Sequence, residues 1–421
     1  MEPTNIRHLR RVAPPLASYL RVGHRDGALA AKLIEQGLPV GAGMIVDQSA
    51  ALRTSELRSS ALENGIEVIL DPRSVELSTI GGMASATVAR LPWAHSSPQT
   101  PATLAGVAGL VLTERIAAAA VEQRVTGVLA PSHFLDADEQ WLGTDVALAG
   151  ALRSALDAAG ARQTVVYYPV VASLRLLSDH TLQRRVLAEV GDLVASRQID
   201  AVFLRVHGFG TAKAGPRNLR SYLRVARALH QLRVPIVGER TGTVGVALAA
   251  FGAIGGVESA ITYGDNYDAR RLNHLPKGRG FVPPPKAYIG PAMAMCSLDD
   301  SATVGARQGF ARLRCQGACC AQRRGEMLAD PRRHFIVTRA NEMTRLSGLP
   351  ESNRANDFLA TILTPARETS AQIARFLPSF APHRDRLDDW HLALQRTIAE
   401  DAETERSTAL APTGHRHRRS A

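Results

Sequence analysis

The stretch IDAVFLRVHGFGTAKAGPRNLRSYLRVARALHQLRVPIVGE, residues 199–239, decides the fold. Its two ends, 199–206 and 234–239, are short, nearly continuous apolar runs rich in valine and isoleucine, the pattern of strands buried on both faces. Between them the apolar residues of RNLRSYLRVARALHQLR recur every three to four positions, which predicts an amphipathic helix. The same strand–helix alternation continues in both directions. Upstream runs at 16–22, 39–46, 65–71, 126–131 and 163–171 and a downstream run at 257–262 bring the strands to eight, with helical patterns between them. Eight buried strands in alternation with helices over roughly 250 residues predict an α/β fold of the (β/α)8, TIM-barrel type. An open doubly wound sheet is the competing arrangement.

The chain is 421 residues long, 45% hydrophobic and 21% charged, the composition of a globular protein. Its start lacks an apolar h-region, and no run approaches the roughly 20 apolar residues of a membrane span. A cytoplasmic protein with no membrane partner is the expectation. Four cysteines, Cys296, Cys315, Cys319 and Cys320, lie close together, which is not a disulfide framework for a chain of this length and agrees with a reducing compartment. The net charge of +11 comes almost entirely from arginine. Such a surface favours polyanions such as tRNA or DNA, and an arginine-rich coding bias with scattered surface charge explains it equally well.

Two segments interrupt the alternation. Residues 73–103 form a long connection after the third strand, where barrels build substrate sites. After the eighth strand, 264–295 is rich in Gly, Pro and basic residues, and the cysteines then open a helical region. The expected division is a barrel over 1–290, a Cys-containing helical, zinc-binding subdomain over 291–400 and a disordered basic tail over 401–421.

In a closed barrel the polar residues just past each strand converge on one mouth. Asp71 ends an apolar run directly before Pro72, and reads either as a catalytic carboxylate whose pKa burial raises or as a cap for the following turn. His207 stands between a strand and Gly208 and Gly210, glycines that let the backbone approach a ligand. Glu239 and Arg240 end the seventh strand as binding residues, or pair with each other or with neighbours. The turn at Gly242 to Gly245 offers a place for phosphate, and His133 and Tyr168 join the rim from the fourth and fifth strands. After the eighth strand TYGDNYDARR supplies Tyr263, Asp265 and Asp268, the aspartates as nucleophile or general base, with Arg270 and Arg271 for an anionic substrate. Its alternative reading is an Asx-rich turn leading into a solvated basic loop.

The order of parts, a barrel, a basic Gly/Pro-rich connection, the run RLRCQGACC (312–320) and then helices, resembles the tRNA-guanine transglycosylase family, which inserts 7-deazaguanine bases into tRNA, with relatives that act on DNA. In that family a Cys-x-Cys-x2-Cys run and a later histidine bind structural zinc. Cys315 and Cys320 match the first and third cysteines, Gly317 stands at the second, Cys319 is adjacent, and His334 or Cys296 completes a set of four. A free-thiol cluster packed in a helical subdomain is the competing reading. Asp71 falls at the family's third-strand aspartate, and Gly208 and Gly210 answer its glycine-rich sixth-strand segment. Ile261 stands at the offset of the family's nucleophilic aspartate. The resemblance implies base exchange or processing in nucleic acid, with Asp265, or secondarily Asp268, as nucleophile, Asp71 as general acid/base and the His207 region holding a small-molecule base. A barrel enzyme acting on a small phosphorylated metabolite and a catalytically degenerate nucleic-acid-binding barrel are the rival expectations.

Overall fold

The computed structural model describes residues 16–23, 26–48, 55–136, 140–260, 266–275, 284–307, 309–310, 313–320 and 326–410. Tyr263 and Asp265 lie outside the described residues. Eight parallel strands close into a barrel in sequence order: β1 (Ala17–Val22), β2 (Gly43–Asp47), β3 (Glu67–Asp71), β4 (Gly127–Leu129), β5 (Val165–Ser173), β6 (Ala201–His207), β7 (Ile236–Glu239) and β8 (Gly256–Ala260). Closure is made by β8 pairing with β1, Glu258 opposite Tyr19. The open-sheet alternative is thereby excluded.

Alternate side chains explain why the strands close. Ile45, Ile69, Leu129, Tyr167, Phe203 and Val237 fill the barrel interior, with Tyr19 and Val165 packed against them. Their neighbours, such as Leu20, Met44, Val68, Val128 and Leu204, point outward into a second, larger core beneath the helices. Tyr168 is one of these outward residues, so it does not belong to the mouth.

The covering helices are α1 (Gly27–Glu35), α2 (Ser55–Glu63), α3 (Val107–Glu122), α4 (Gln140–Ala158), α5 (His180–Ala195), α6 (Pro216–His230) and α7 (Val244–Ala250). Asp179 caps α5, accepting from the Thr181 and Leu182 amides at 2.8 and 3.1 Å, as the Ser178-Asp179 start predicts. Past β8 the chain forms an antiparallel hairpin, β9 (Lys286–Ile289) and β10 (Ala294–Ser297), then α8 (Leu298–Ala306), α9 (Pro331–Ser347), α10 (Thr364–Ala374) and α11 (Ala381–Leu410).

The division expected at residue 290 cuts this hairpin. It also separates α9 from the barrel, although α9 packs on β1, β9 and α7. One hydrophobic core runs from Leu20 through Met343 to Trp390. The helical region is therefore built onto the barrel rather than beside it. Residue 401 does not begin a disordered tail either: α11 continues through it, and Asp401 pairs with Arg227 of α6 at 2.7 Å. Residues 411–421 lie outside the described residues. Among the described residues no helix is long and apolar enough to cross a membrane.

Candidate functional site

The strand alternation that fills the barrel with apolar groups delivers charge at its C-terminal end. Two residues beyond Tyr19, Ile69, Phe203, Val237 and Gly256 stand Arg21, Asp71, Arg205, Glu239 and Glu258, at inward-facing positions. Arg21 contacts three carboxylates: Asp71 at 2.5 Å, Glu239 at 2.5 Å and Glu258 at 2.9 Å. Arg205 pairs with Glu239 and lies 3.8 Å from Asp71. Burial alone would push the Asp71 and Glu239 carboxyls up, but the two guanidinium groups outweigh it and hold both below the usual carboxylate range. The same attraction overcomes burial and raises Arg21 and Arg205. The mouth is thus floored by a buried ion-pair network in which Asp71 and Glu239 are held ionised by Arg21 and Arg205.

Several expected roles change in consequence. Asp71 is held down rather than raised, which removes the basis for its role as a general acid. Its Oδ1 accepts the Arg73 amide at 2.7 Å, the bond that the turn-capping reading expects. Glu239 pairs with Arg21 and Arg205, and Arg240 is not its partner; the Arg240 amide donates instead to Glu258 at 2.7 Å. Arg73 and Arg240 both adopt the left-handed backbone region, with φ of 57° and 53°. Each such non-glycine residue stores about 1–3 kcal/mol of strain and persists only where its surroundings enforce it.

Beyond β8, Asn266 and Tyr267 lie against the end of β6. Tyr267 and Asn266 bridge to His207 and Gly210, and the Gly208 amide donates to the Tyr267 carbonyl at 3.2 Å. The backbone that approaches these glycines is the protein's own, in place of the ligand expected there. The Tyr267 ring lies over the guanidinium groups of Arg205, at 5.4 Å, and Arg240, at 6.0 Å. The following turn, Ala269–Asn273, is seated on the long connection after β3. A Cβ at Gly81 would stand 2.1 Å from the His274 carbonyl oxygen, so only glycine admits that contact. Arg270 and Arg271 ride on this turn, exposed, and Arg270 lies 3.8 Å from Asp136.

His207 accepts the Ala269 amide at Nδ1, 3.2 Å, which places the proton of the neutral ring on Nε2. Asp268 approaches the same nitrogen at 3.4 Å and is half exposed. Burial pushes the His207 pKa down more than Asp268 pulls it up. His133, by contrast, is fully buried against α4, bonded to Asp145 at 2.6 Å and stacked on Trp141, which makes it an anchor for the loop after β4. The Gly242–Gly245 turn is filled by the protein too. The Thr243 amide donates to Thr211 Oγ1 at 2.7 Å, and Arg339 of α9 donates to Thr243 Oγ1 at 3.2 Å. These contacts take up the amide and the hydroxyl of Thr243.

Arg21, Glu258 and Tyr267 were absent from the sequence reading of the rim. The signal for the first two was a single charge at an inward position of an otherwise apolar strand, LASYLRV and VESAIT. Tyr267 carried no local signal.

The cysteine run folds as the set of four expected. Cys315, Cys319, Cys320 and His334 bring their ligand atoms within 4.8 Å of one another. Cys315 and Cys319 sulfurs are 3.6 Å apart, and His334 Nδ1 lies 3.6 Å from Cys319 and 3.5 Å from Cys320. A tetrahedral ion with bonds of about 2.3 Å to sulfur and about 2.0 Å to nitrogen has edges of roughly 3.5–3.8 Å. His334 Nε2 is bonded to the Tyr288 carbonyl at 2.8 Å, the outer contact that turns Nδ1 toward an ion. Adjacent Cys319 and Cys320 both join because the chain turns there, the Cys320 amide donating to the Gly317 carbonyl at 2.8 Å. Hydrogen bonds from Cys319, Cys320 and His334 hold the Cys315 thiol below its usual value. Cys296 lies apart, in a small core with Ile289, Val304 and Phe380. The four residues could hold a metal ion.

No family model and no curated protein matches the chain. Among solved structures it is similar to an enolase from Sargasso Sea environmental sequencing (14% identity, 59% of this chain, TM-score 0.33), and it spans just over half, 56%, of that enolase. It is also similar to a type I 3-dehydroquinate dehydratase from Clostridium difficile (9% identity, 62% of this chain and 91% of that one, TM-score 0.38). A third likeness is to a putative fructose-1,6-bisphosphate aldolase from Coccidioides immitis (10% identity, 80% of this chain and 93% of that one, TM-score 0.37). Superpositions this loose carry no argument about chemistry; the barrel rests on its own strand order.

Proposed function

We propose that the chain is an enzyme acting at the charged barrel mouth on a small anionic metabolite, a phosphorylated one first among them. The observation that carries this reading is a set of buried polar atoms around the Tyr267 ring that have no partner among the described residues: Arg205 Nε, Arg240 Nε, Glu239 Oε2 and the Tyr267 hydroxyl. Each buried polar atom left unsatisfied costs about 1–3 kcal/mol, so a cluster of them calls for a polar ligand or ordered water. Arg240 makes no side-chain ion pair among the described residues and would take the anionic group. Neutral His207 would donate from Nε2 to a substrate oxygen, and Asp268 would serve as the base beside it. Arg240→Met is expected to weaken binding of phosphorylated metabolites by about 10–100-fold, the range for a lost hydrogen bond to a charged group. Calorimetric titration against a panel of phosphorylated and unphosphorylated compounds checks this; equal affinity in the variant, or no binding by the wild type, removes the reading.

The Cys3His cluster favours a second reading. Three cysteine sulfurs and an imidazole at tetrahedral separations suit zinc above other common divalent ions, and their place between the barrel and α9 agrees with the layout that the transglycosylase resemblance implies. Bound zinc would supply a structural cross-link, held by Cys315, Cys319, Cys320 and His334. In this reading the Asp268 carboxylate bonds to the anomeric carbon of a flipped nucleotide in tRNA or DNA as the glycosidic C–N bond breaks, and the resident base leaves with that electron pair and takes a proton from water. The incoming base, giving up its proton to water, then displaces the aspartyl ester and frees the carboxylate, while Arg270 and Arg271 hold phosphates. Labelled guanine is then expected to enter one of the two nucleic acids, with an affinity that falls steeply as salt rises. No incorporation together with salt-independent affinity excludes it.

A further inference from the structure

We propose that Arg339 is the positioning residue through which the Cys3His cluster holds the loop after β7 at the mouth, an inference that rests on the metal reading above. A continuous set of contacts joins the two places. His334 is bonded through Nε2 to the Tyr288 carbonyl at 2.8 Å, and the hydroxyl of the same tyrosine donates to Glu342 Oε1 at 2.9 Å. Glu342 Oε2 pairs with Arg339 at 3.2 Å. Arg339 then donates to Thr243 Oγ1 at 3.2 Å, and the Thr243 amide donates to Thr211 Oγ1 at 2.7 Å. The path therefore ends between the loops that follow β6 and β7, three residues from Arg240 and one from Gly210.

The chemistry of Arg339 argues for a purpose beyond packing. Its guanidinium is almost fully buried, wedged between the rings of Tyr288, at 5.3 Å, and Phe335, at 5.5 Å. A buried ion pair is often no more stabilising than apolar residues of the same volume, whereas its fixed geometry imposes one arrangement on what it touches. Here it joins a helix and a hairpin to a loop: α9 carries both His334 and Arg339, five residues apart, the hairpin carries Tyr288, and the loop is the one that presents Arg240. A metal ion that fixes His334 fixes the first turn of α9 and the Tyr288 ring. Arg339 passes that constraint to Thr243. Without the ion, α9 and the hairpin bearing Tyr288 lose their shared anchor, and the loop loses its outer support.

Hydrogen exchange of the full chain tests this, with metal content measured in every sample. In the zinc-loaded wild type, removing the ion with a chelator is expected to speed exchange at Thr243 to Val246 by about tenfold or more, the scale of one lost hydrogen bond to a charged group. Arg339→Met is expected to show that faster exchange with zinc still bound, and chelation is expected to add nothing to it. Thr243→Val, which keeps the arginine and removes its acceptor, is expected to do the same and serves if the first variant does not fold. Unchanged exchange on chelation of the wild type, or an additive effect of chelation in both variants, overturns the proposal. A wild type that holds no zinc overturns the metal reading itself, a result read from the metal analysis rather than from the exchange.

Discussion

Glu239→Gln is expected to destabilise the protein by about 3–5 kcal/mol, the cost of removing one partner from a buried ion network. Glu239 is 1% exposed and is the carboxylate shared by Arg21 and Arg205. Its neutralisation leaves two guanidinium groups in the barrel with only Asp71 and Glu258 to balance them. The midpoint of urea unfolding checks the size of the effect. A loss below about 1 kcal/mol, the range of exposed ion pairs, would show that water reaches the mouth and screens it. The same network sets a pH dependence. Asp71 and Glu239 have folded-state pKa values below their unfolded ones, so their contribution is present above the unfolded value, about 4, and is lost as pH falls through the depressed folded values. Wild-type stability is expected to fall on acidification below about pH 4, and the variant to lose less over that interval.

The second large effect is expected at the cysteines. Cys320→Ser is expected to abolish stoichiometric zinc, because a serine hydroxyl stays protonated near neutral pH and the site is left with three donors. Metal analysis of the purified, reduced protein reads this directly. Structural zinc is worth about 10–16 kcal/mol where it is the main source of folding energy. In this chain the barrel has its own core, so the loss is expected to open the region around residues 313–334 to protease while the strands stay protected. Zinc retained by the variant would mean that Cys320 is a packing residue, and a metal-free wild type would make all four side chains so.

Much of the fold was legible because its signal is local. Burial on both faces of a parallel strand writes a short apolar run, and eight such runs at barrel spacing leave little else to build. α9 was assigned to a separate subdomain for the converse reason. Its sequence, PRRHFIVTRANEMTRLS at 331–347, lies some seventy residues after β8, and nothing in a helical pattern names the strand against which it packs. The metal set was legible because three of its members are neighbours in sequence. Choosing His334 over Cys296 required the turn at Gly317 and the first turn of α9 to meet.

At the mouth the division is sharper. Asp71, His207, Glu239 and Arg240 could be named from their places at strand ends, and period-two alternation determines that they share one end of a barrel. Which charge meets which could not be read. Arg21 and Glu258 are 237 residues apart and touch because β1 and β8 close the ring. That closure turns Asp71 from a carboxyl raised by burial into one held ionised by two arginines, and it places Tyr267 over the guanidinium groups. The sequence by itself determined the strands, the alternation that predicts a barrel and part of the inventory of reactive groups, since these follow from local periodicity and residue chemistry. The tertiary structure alone decided their pairing, protonation and access, because electrostatic energies inside a barrel depend on distances between strands that the order of residues does not contain.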